Sequence, residues 1–193
     1  MASFKEYDFD PRNLPQGLLE AIGIMTTSAA QTEGCVEDAI AGFLGVDFEY
    51  GKAVTTHMAM PLRFSVLKST AEIRIDDVDA LDALDDLIDQ LEEAFDKRNA
   101  IVHHTWCRDP DTDEVFTVKE TARTRVEVDL IPMSVDQVKS DALFVYQVGM
   151  DLYSFLKAHK LLPPLPTMPR PRGHKSKAAR KKRREAMLRA AKS

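Results

Sequence analysis

VDALDALDDLIDQLEEAFDKRNAIVH, residues 78–103, is the stretch whose pattern decides the fold. Its apolar residues Val78, Leu81, Leu84, Ile88, Leu91, Phe95 and Val102 recur at steps of three, four or seven. That period is the seam of one long amphipathic helix. The step of seven passes over one slot, and the slot holds Arg98. A guanidinium on an apolar seam needs a carboxylate, a carbonyl or a phosphate facing it. His103 follows five residues later.

Similar periods lie on both sides. Leu18, Ile22, Met25, Ala29, Val36, Ile40 and Phe43 predict a helix over 14–45, with Gly45 as its stop and Gly34 as an interruption. Residues 47–52 read as a connector. Met58, Leu62, Val66 and Thr70 predict a second helix over 55–73, with Pro61 in its first turns or at a kink. The third helix is expected over 77–103, and Asp76, Asp77 and Asp79 favour its N-terminus. Residues 108–113 form a turn sequence, and 115–118 and 125–130 read as short strands in a hairpin or meander. Ser134 and Gln137 match a capping box, and Val138, Ala142, Val145, Val148, Leu152 and Phe155 carry a last helix to about His159. Residues 1–13 read as a poorly ordered lead-in. The expected fold is mainly α: a four-helix bundle with a small β-hairpin insertion between the third and fourth helices.

Three segments are expected: a helical domain over 14–160, a stiff linker over 161–172, and a basic tail over 173–193. Residues 161–171 hold five of the ten prolines. The net charge of −5 hides a split. Residues 169–193 carry 11 Lys and Arg against Glu185 alone, a charge of +10, and the remaining 15 basic and 30 acidic residues give −15. Like charges disfavour an isolated helix, so the tail is expected to stay disordered until an anion binds. Lys175, Lys177, Arg180, Lys181, Lys182, Arg183 and Arg184 are its candidate nucleic-acid-binding residues. The alternative is a solubilising tail, or one that folds back on the acidic body. With no aromatic residue among 173–193, the tail would bind by charge with little sequence preference.

Several classes of protein are disfavoured. No apolar run approaches the roughly 18 residues that span a bilayer, and 1–10 has no secretory pattern. A cytoplasmic location is the default. Cys35 and Cys107 are too few for a metal site and form no Cys-x-x-Cys pair. Walker, Gly-x-Gly-x-x-Gly, His-Glu-x-x-His and Gly-x-Ser-x-Gly patterns are absent. No metal or cofactor is expected. His104 reads as a surface residue, Trp106 as core packing, and His57, His159 and His174 suggest no site.

The stretch Arg98-Asn99-Ala100-Ile101-Val102-His103 resembles the motif of the HEPN superfamily, an Arg, a polar residue, then a His four to six places after the Arg. Its place at the end of the third of four helices agrees, as do the short hairpin and the last helix behind it. The resemblance implies an all-α bundle, often dimeric, whose active members are metal-independent endoribonucleases, with roles in defence or toxin–antitoxin systems. It also implies roles: His103 for the proton of the ribose 2′-hydroxyl or of the leaving oxygen, Arg98 for the phosphate charge, and Asn99 for orientation. An antitoxin or nucleotidyltransferase partner is implied in the same way. Many members are non-catalytic binding or regulatory proteins, and that is the alternative function.

Two points weigh on this reading. In a straight helix, residues five apart diverge by about 140° and about 7.5 Å of rise. Arg98 and His103 are therefore expected to meet only if the helix end distorts, or across a homodimer axis. Residues 76–96 also hold ten acids and no base. That face repels RNA unless it points away from the cleft. Without the resemblance, Arg98 pairs with a carboxylate from another helix and closes the bundle.

Overall fold

Gly45 has φ 66°, the left-handed conformation that glycine adopts without Cβ strain, and it ends the first helix as its period predicts. A computed structural model describes residues 6–122, 126–165 and 177–190. Most of them are helical, with one small antiparallel sheet. After a 3-10 turn at Pro11–Asn13 come α1 (Gln16–Leu44), α2 (Phe48–Thr55), α3 (Met60–Arg74) and α4 (Val78–Val102). Strands β1 (Thr105–Arg108), β2 (Val115–Ala122) and β3 (Val126–Pro132) follow, then α5 (Val135–Ala158) and α6 (Lys177–Ala190).

The caps explain the boundaries. Asp77 accepts from the N–H groups of Asp79 and Ala80 at the start of α4. Ser134 accepts from Gln137 N–H at the start of α5, one half of the expected capping box. Gln137 Nε2 turns instead to Asp141. Gly34 leaves α1 unbroken.

Helix α1 lies along α5 and touches α3 and α4, and α4 packs on α3 and α5. Helices α1 and α5 approach closely at Gly149 of α5. A Cβ there would stand 2.4 Å from Thr32 Oγ1, and Thr32 donates to the Val145 carbonyl at 2.8 Å. Small residues at this crossing let the two backbones come together. The core has two clusters. Ile40, Leu67, Ile88, Leu91 and Leu152 anchor one, and Leu18, Met25, Ile101, Val138 and Val145 anchor the other. Of the expected α4 seam, Leu84, Ile88, Leu91 and Phe95 are buried, while Val78 at the helix start is exposed.

The structure corrects several expectations. The connector at 47–52 is helical, because Asp47 caps α2 through the N–H groups of Glu49 and Tyr50. The helix predicted over 55–73 therefore starts at Met60, with Pro61 in its first turn, where the missing N–H costs nothing. The insertion is a three-stranded meander, β1-β2-β3, rather than a hairpin. Asp8 and Arg108 exchange backbone hydrogen bonds at 2.9 Å in both directions, which orders 6–13, expected as a loose lead-in. The tail, expected without helix, is helical over Lys177–Ala190, where alanines and other good helix formers outweigh the like charges. The five described linker residues, 161–165, are not helical, and Leu161 is buried. Residues 166–172 of the linker lie outside the described residues. Among the described residues, no helix is long and apolar enough to cross a membrane.

Candidate functional site

Helix α4 stops at Val102, and His103 is its C-cap, with φ −110° and ψ −17°. The His103 N–H donates to the Asn99 carbonyl at 3.0 Å. Within the last turn, the Trp106 indole N–H donates to the Ile101 carbonyl at 2.9 Å, filling one of the acceptors that a helix end leaves open. Strand β1 then leads the chain away.

This ending brings the motif together. Arg98 Nη1 lies 2.5 Å from His103 Nε2 and donates to Asn99 Oδ1 at 3.0 Å. The regular helix ends one residue before His103, so the helix end departs from the straight path that would hold the two side chains apart. Arg98, Asn99 and His103 thus meet within one chain, and a second copy is not required for their contact. A guanidinium only donates, so this contact is a hydrogen bond in the tautomer that leaves Nε2 without a proton. His103 and Asn99 are exposed and Arg98 is half-buried, so the cluster faces solvent.

Behind Arg98 stands a carboxylate, as its seam position demanded. Arg98 Nη2 is 3.9 Å from Glu33 Oε1 of α1. The other Glu33 oxygen is 4.0 Å from Nη1 of Arg63, a buried α3 residue. Arg63 Nη1 is 3.3 Å from Glu37, and Arg63 Nε donates to the Met58 carbonyl at 3.1 Å. Lys52 of α2 donates to the second Glu37 oxygen at 3.1 Å. One charged chain therefore runs Lys52, Glu37, Arg63, Glu33, Arg98, His103 across four helices. Within it, Arg98 Nε and Arg63 Nη1 are enclosed without a hydrogen-bond acceptor. Sequence reasoning missed Glu33, Glu37 and Arg63. The one signal was the i, i+4 spacing of Glu33 and Glu37, which puts both carboxylates on one face of α1.

Beside the cluster, a groove of about 310 Å³ opens between α3 and α4, with Asn99 at one end. All ten acids of 76–96 are exposed on α4 or just before it, which is the solvated outer face. Asn99, Glu92 and Asp96 nevertheless share the groove.

Other predicted residues fall elsewhere. Trp106 packs against the second core cluster. His104 is half-buried with Nδ1 enclosed and unpartnered, rather than on the surface. His159 lies against Phe155, ring centroids 4.4 Å apart. In the tail, Lys181, Lys182 and Arg184 are exposed on α6. Lys177, Arg180 and Arg183 belong to the same helix, and Lys175 and His174 lie outside the described residues. Among the described residues, no hydrogen bond or ion pair joins Lys181, Lys182 or Arg184 to Arg98 or His103. Cys35 and Cys107 are both buried free thiols. Among the described residues, no group of three His, Cys, Asp or Glu side chains is placed to hold a metal ion.

Comparison with family models, curated proteins and solved structures finds no match to this chain.

Proposed function

We propose that the protein is a HEPN-like, metal-independent endoribonuclease whose four-helix bundle is α1, α3, α4 and α5. The observation that carries this reading is the contact of Arg98 with both Asn99 and His103 on an open surface. An imidazole, a guanidinium and an amide at one point can serve cleavage by the ribose itself. The 2′-hydroxyl attacks its own phosphorus, forming a cyclic phosphodiester and releasing the 5′-oxygen. His103 Nε2 takes the hydroxyl proton, or in its protonated form delivers one to the leaving oxygen. Arg98 stabilises the charge on the phosphoryl oxygens.

In the free protein the Nε2 lone pair is occupied by Arg98. Substrate must replace that donor with its own hydroxyl, which releases the guanidinium to turn to the phosphate. Asn99 holds Arg98 through Oδ1 and His103 through its carbonyl, so it orients both. The basic tail, from Lys175 through Lys177, Arg180, Lys181, Lys182, Arg183 and Arg184, adds electrostatic grip on RNA.

The homodimer, the antitoxin or nucleotidyltransferase partner, the toxin or defence role and the cytoplasmic location rest on the family resemblance and on the sequence defaults. The second reading, a non-catalytic binding protein, is favoured by one observation: Arg98 already has an internal counter-charge in Glu33. RNA incubated with the protein in EDTA, beside His103→Ala and Arg98→Ala, separates the two. Cleavage in EDTA that is lost in both variants is expected. Absence of cleavage by the unmodified protein overturns the enzyme reading in favour of the second.

A further inference from the structure

The groove between α3 and α4 has an apolar floor and an acidic rim. Met60, Phe64 and Phe95 form the floor, and Glu92 and Asp96 stand exposed above it. The rim continues along α4, since Asp85, Asp89, Glu92 and Asp96 follow at steps of four, three and four and so share one face. Lys68 engages Asp89 at 3.3 Å and Glu92 at 3.9 Å. No cation pairs with Asp85 or Asp96 among the described residues.

Helix α6 has the complementary pattern. Lys181, Arg184 and Leu188 are spaced three and four apart, and Met187 lies beside Leu188. Met187 is 63% and Leu188 64% exposed, so both apolar side chains are unburied. Arg180 to Arg184 are five consecutive cations, so α6 carries positive charge all round, including the face of Lys181, Arg184 and Leu188. A cationic helix with two uncovered apolar residues near its end fits a groove with an acidic rim and an apolar floor. The eleven residues 166–176 span up to about 40 Å when extended. Helix α4, at 25 residues, is also about 40 Å long, so the linker is as long as the helix it would follow.

We infer that α6 docks in the α3–α4 groove of its own chain, with Lys181 and Arg184 on the acids of α4 and Met187 or Leu188 against Met60, Phe64 and Phe95. Docking of this kind covers the Asn99 end of the groove and so shields the Arg98–His103 cluster. A polyanion that engages the tail withdraws it and opens the site. The inference does not depend on the ribonuclease reading, because docking can be measured without RNA.

The test is zero-length carbodiimide coupling of amines to carboxylates in the full-length protein, read by peptide mass spectrometry. Coupling of Lys68 to Asp89 or Glu92 is the internal control. The expected result is coupling of Lys181 or Lys182 to Asp89, Glu92 or Asp96, found in the monomer band. Coupling falls about tenfold in 1 M NaCl, where the Debye length is about 3 Å. An Asp85→Lys, Asp96→Lys double variant, changed only at exposed positions, loses it while Lys68 still couples. Tail coupling spread over unrelated acids such as Glu20 and Asp136, coupling only between two chains, or no tail coupling beside a positive control overturns the inference.

Discussion

Glu33 Oε1 stands 3.9 Å from Nη2 of Arg98, near enough to hold the guanidinium by charge and too far for a short hydrogen bond. Both side chains are partly exposed, so the pair contributes little stability, about 1 kcal/mol or less. On the ribonuclease reading proposed above, its larger effect would be competition, with Glu33 holding Arg98 away from an incoming phosphate. Glu33→Gln is expected to melt within a few degrees of the parent and to bind single-stranded RNA several-fold more tightly at fixed salt. Unchanged or weaker RNA binding refutes a phosphate-binding role for Arg98.

Arg63 is a different case, because it is buried between two acids. Removing it leaves Glu33 and Glu37 facing each other and the Met58 carbonyl without its donor. Arg63→Ala is expected to cost roughly 3 kcal/mol, against under about 1 kcal/mol for Arg98→Ala. Urea unfolding of both variants checks the order. Equal losses would mean that Arg63 does not organise the cluster.

The crossing of α1 and α5 at Gly149 leaves no room for a methyl group. Gly149→Ala gains helix propensity of about 1 kcal/mol, but it drives a Cβ into Thr32 and its bond to Val145. Overpacking of this kind costs about 1–3 kcal/mol, so a lower melting temperature is expected. A paired Thr32→Ala change, which removes the Oγ1 that the new Cβ meets first, should restore part of the loss.

At high pH the fold is expected to weaken for two reasons. Burial pushes the thiols of Cys35 and Cys107 up from their ordinary value, with Asp38 adding to the effect on Cys35. Lys97 loses hydration, which lowers its value, but the hydrogen bond and charge of Asp141, with Glu93, more than offset this and hold it raised. In each case the folded chain keeps its proton longer than the unfolded one. The stability is therefore full below the unfolded values, about 8.5 for Cys and 10.4 for Lys, and is lost as pH rises through the folded ones. Denaturant midpoints between pH 7 and 10.5 should fall. Neither thiol should react with a disulfide reagent at pH 8 until the protein is unfolded.

Long-period features were legible in the sequence. The seam of α4, the glycine stop of α1 and the Ser134 cap of α5 are local patterns, and local patterns survive folding. Helix α2 was missed because eight residues give too few turns for a period to emerge. Strand β1 was missed because four residues, Thr105 to Arg108, acquire their identity only by pairing with β2 and Asp8. Glu33 and Arg63 were not legible as site residues, since they reach Arg98 across the fold and no spacing along the chain connects them. The contact between Arg98 and His103 follows the first of the two routes that the spacing leaves open, an irregular helix end rather than a dimer axis. Helix arithmetic holds only while the helix continues, and His103 is the residue at which it ends.

The bond from Trp106 to the Ile101 carbonyl has an experimental consequence. Trp106 is the one tryptophan of the chain, and its indole is fastened to the last turn of α4, two residues before His103. Any rearrangement of that turn alters the polarity around the ring. Its intrinsic emission is therefore a label that the protein already carries, placed to record the occupation of the neighbouring site without chemical modification.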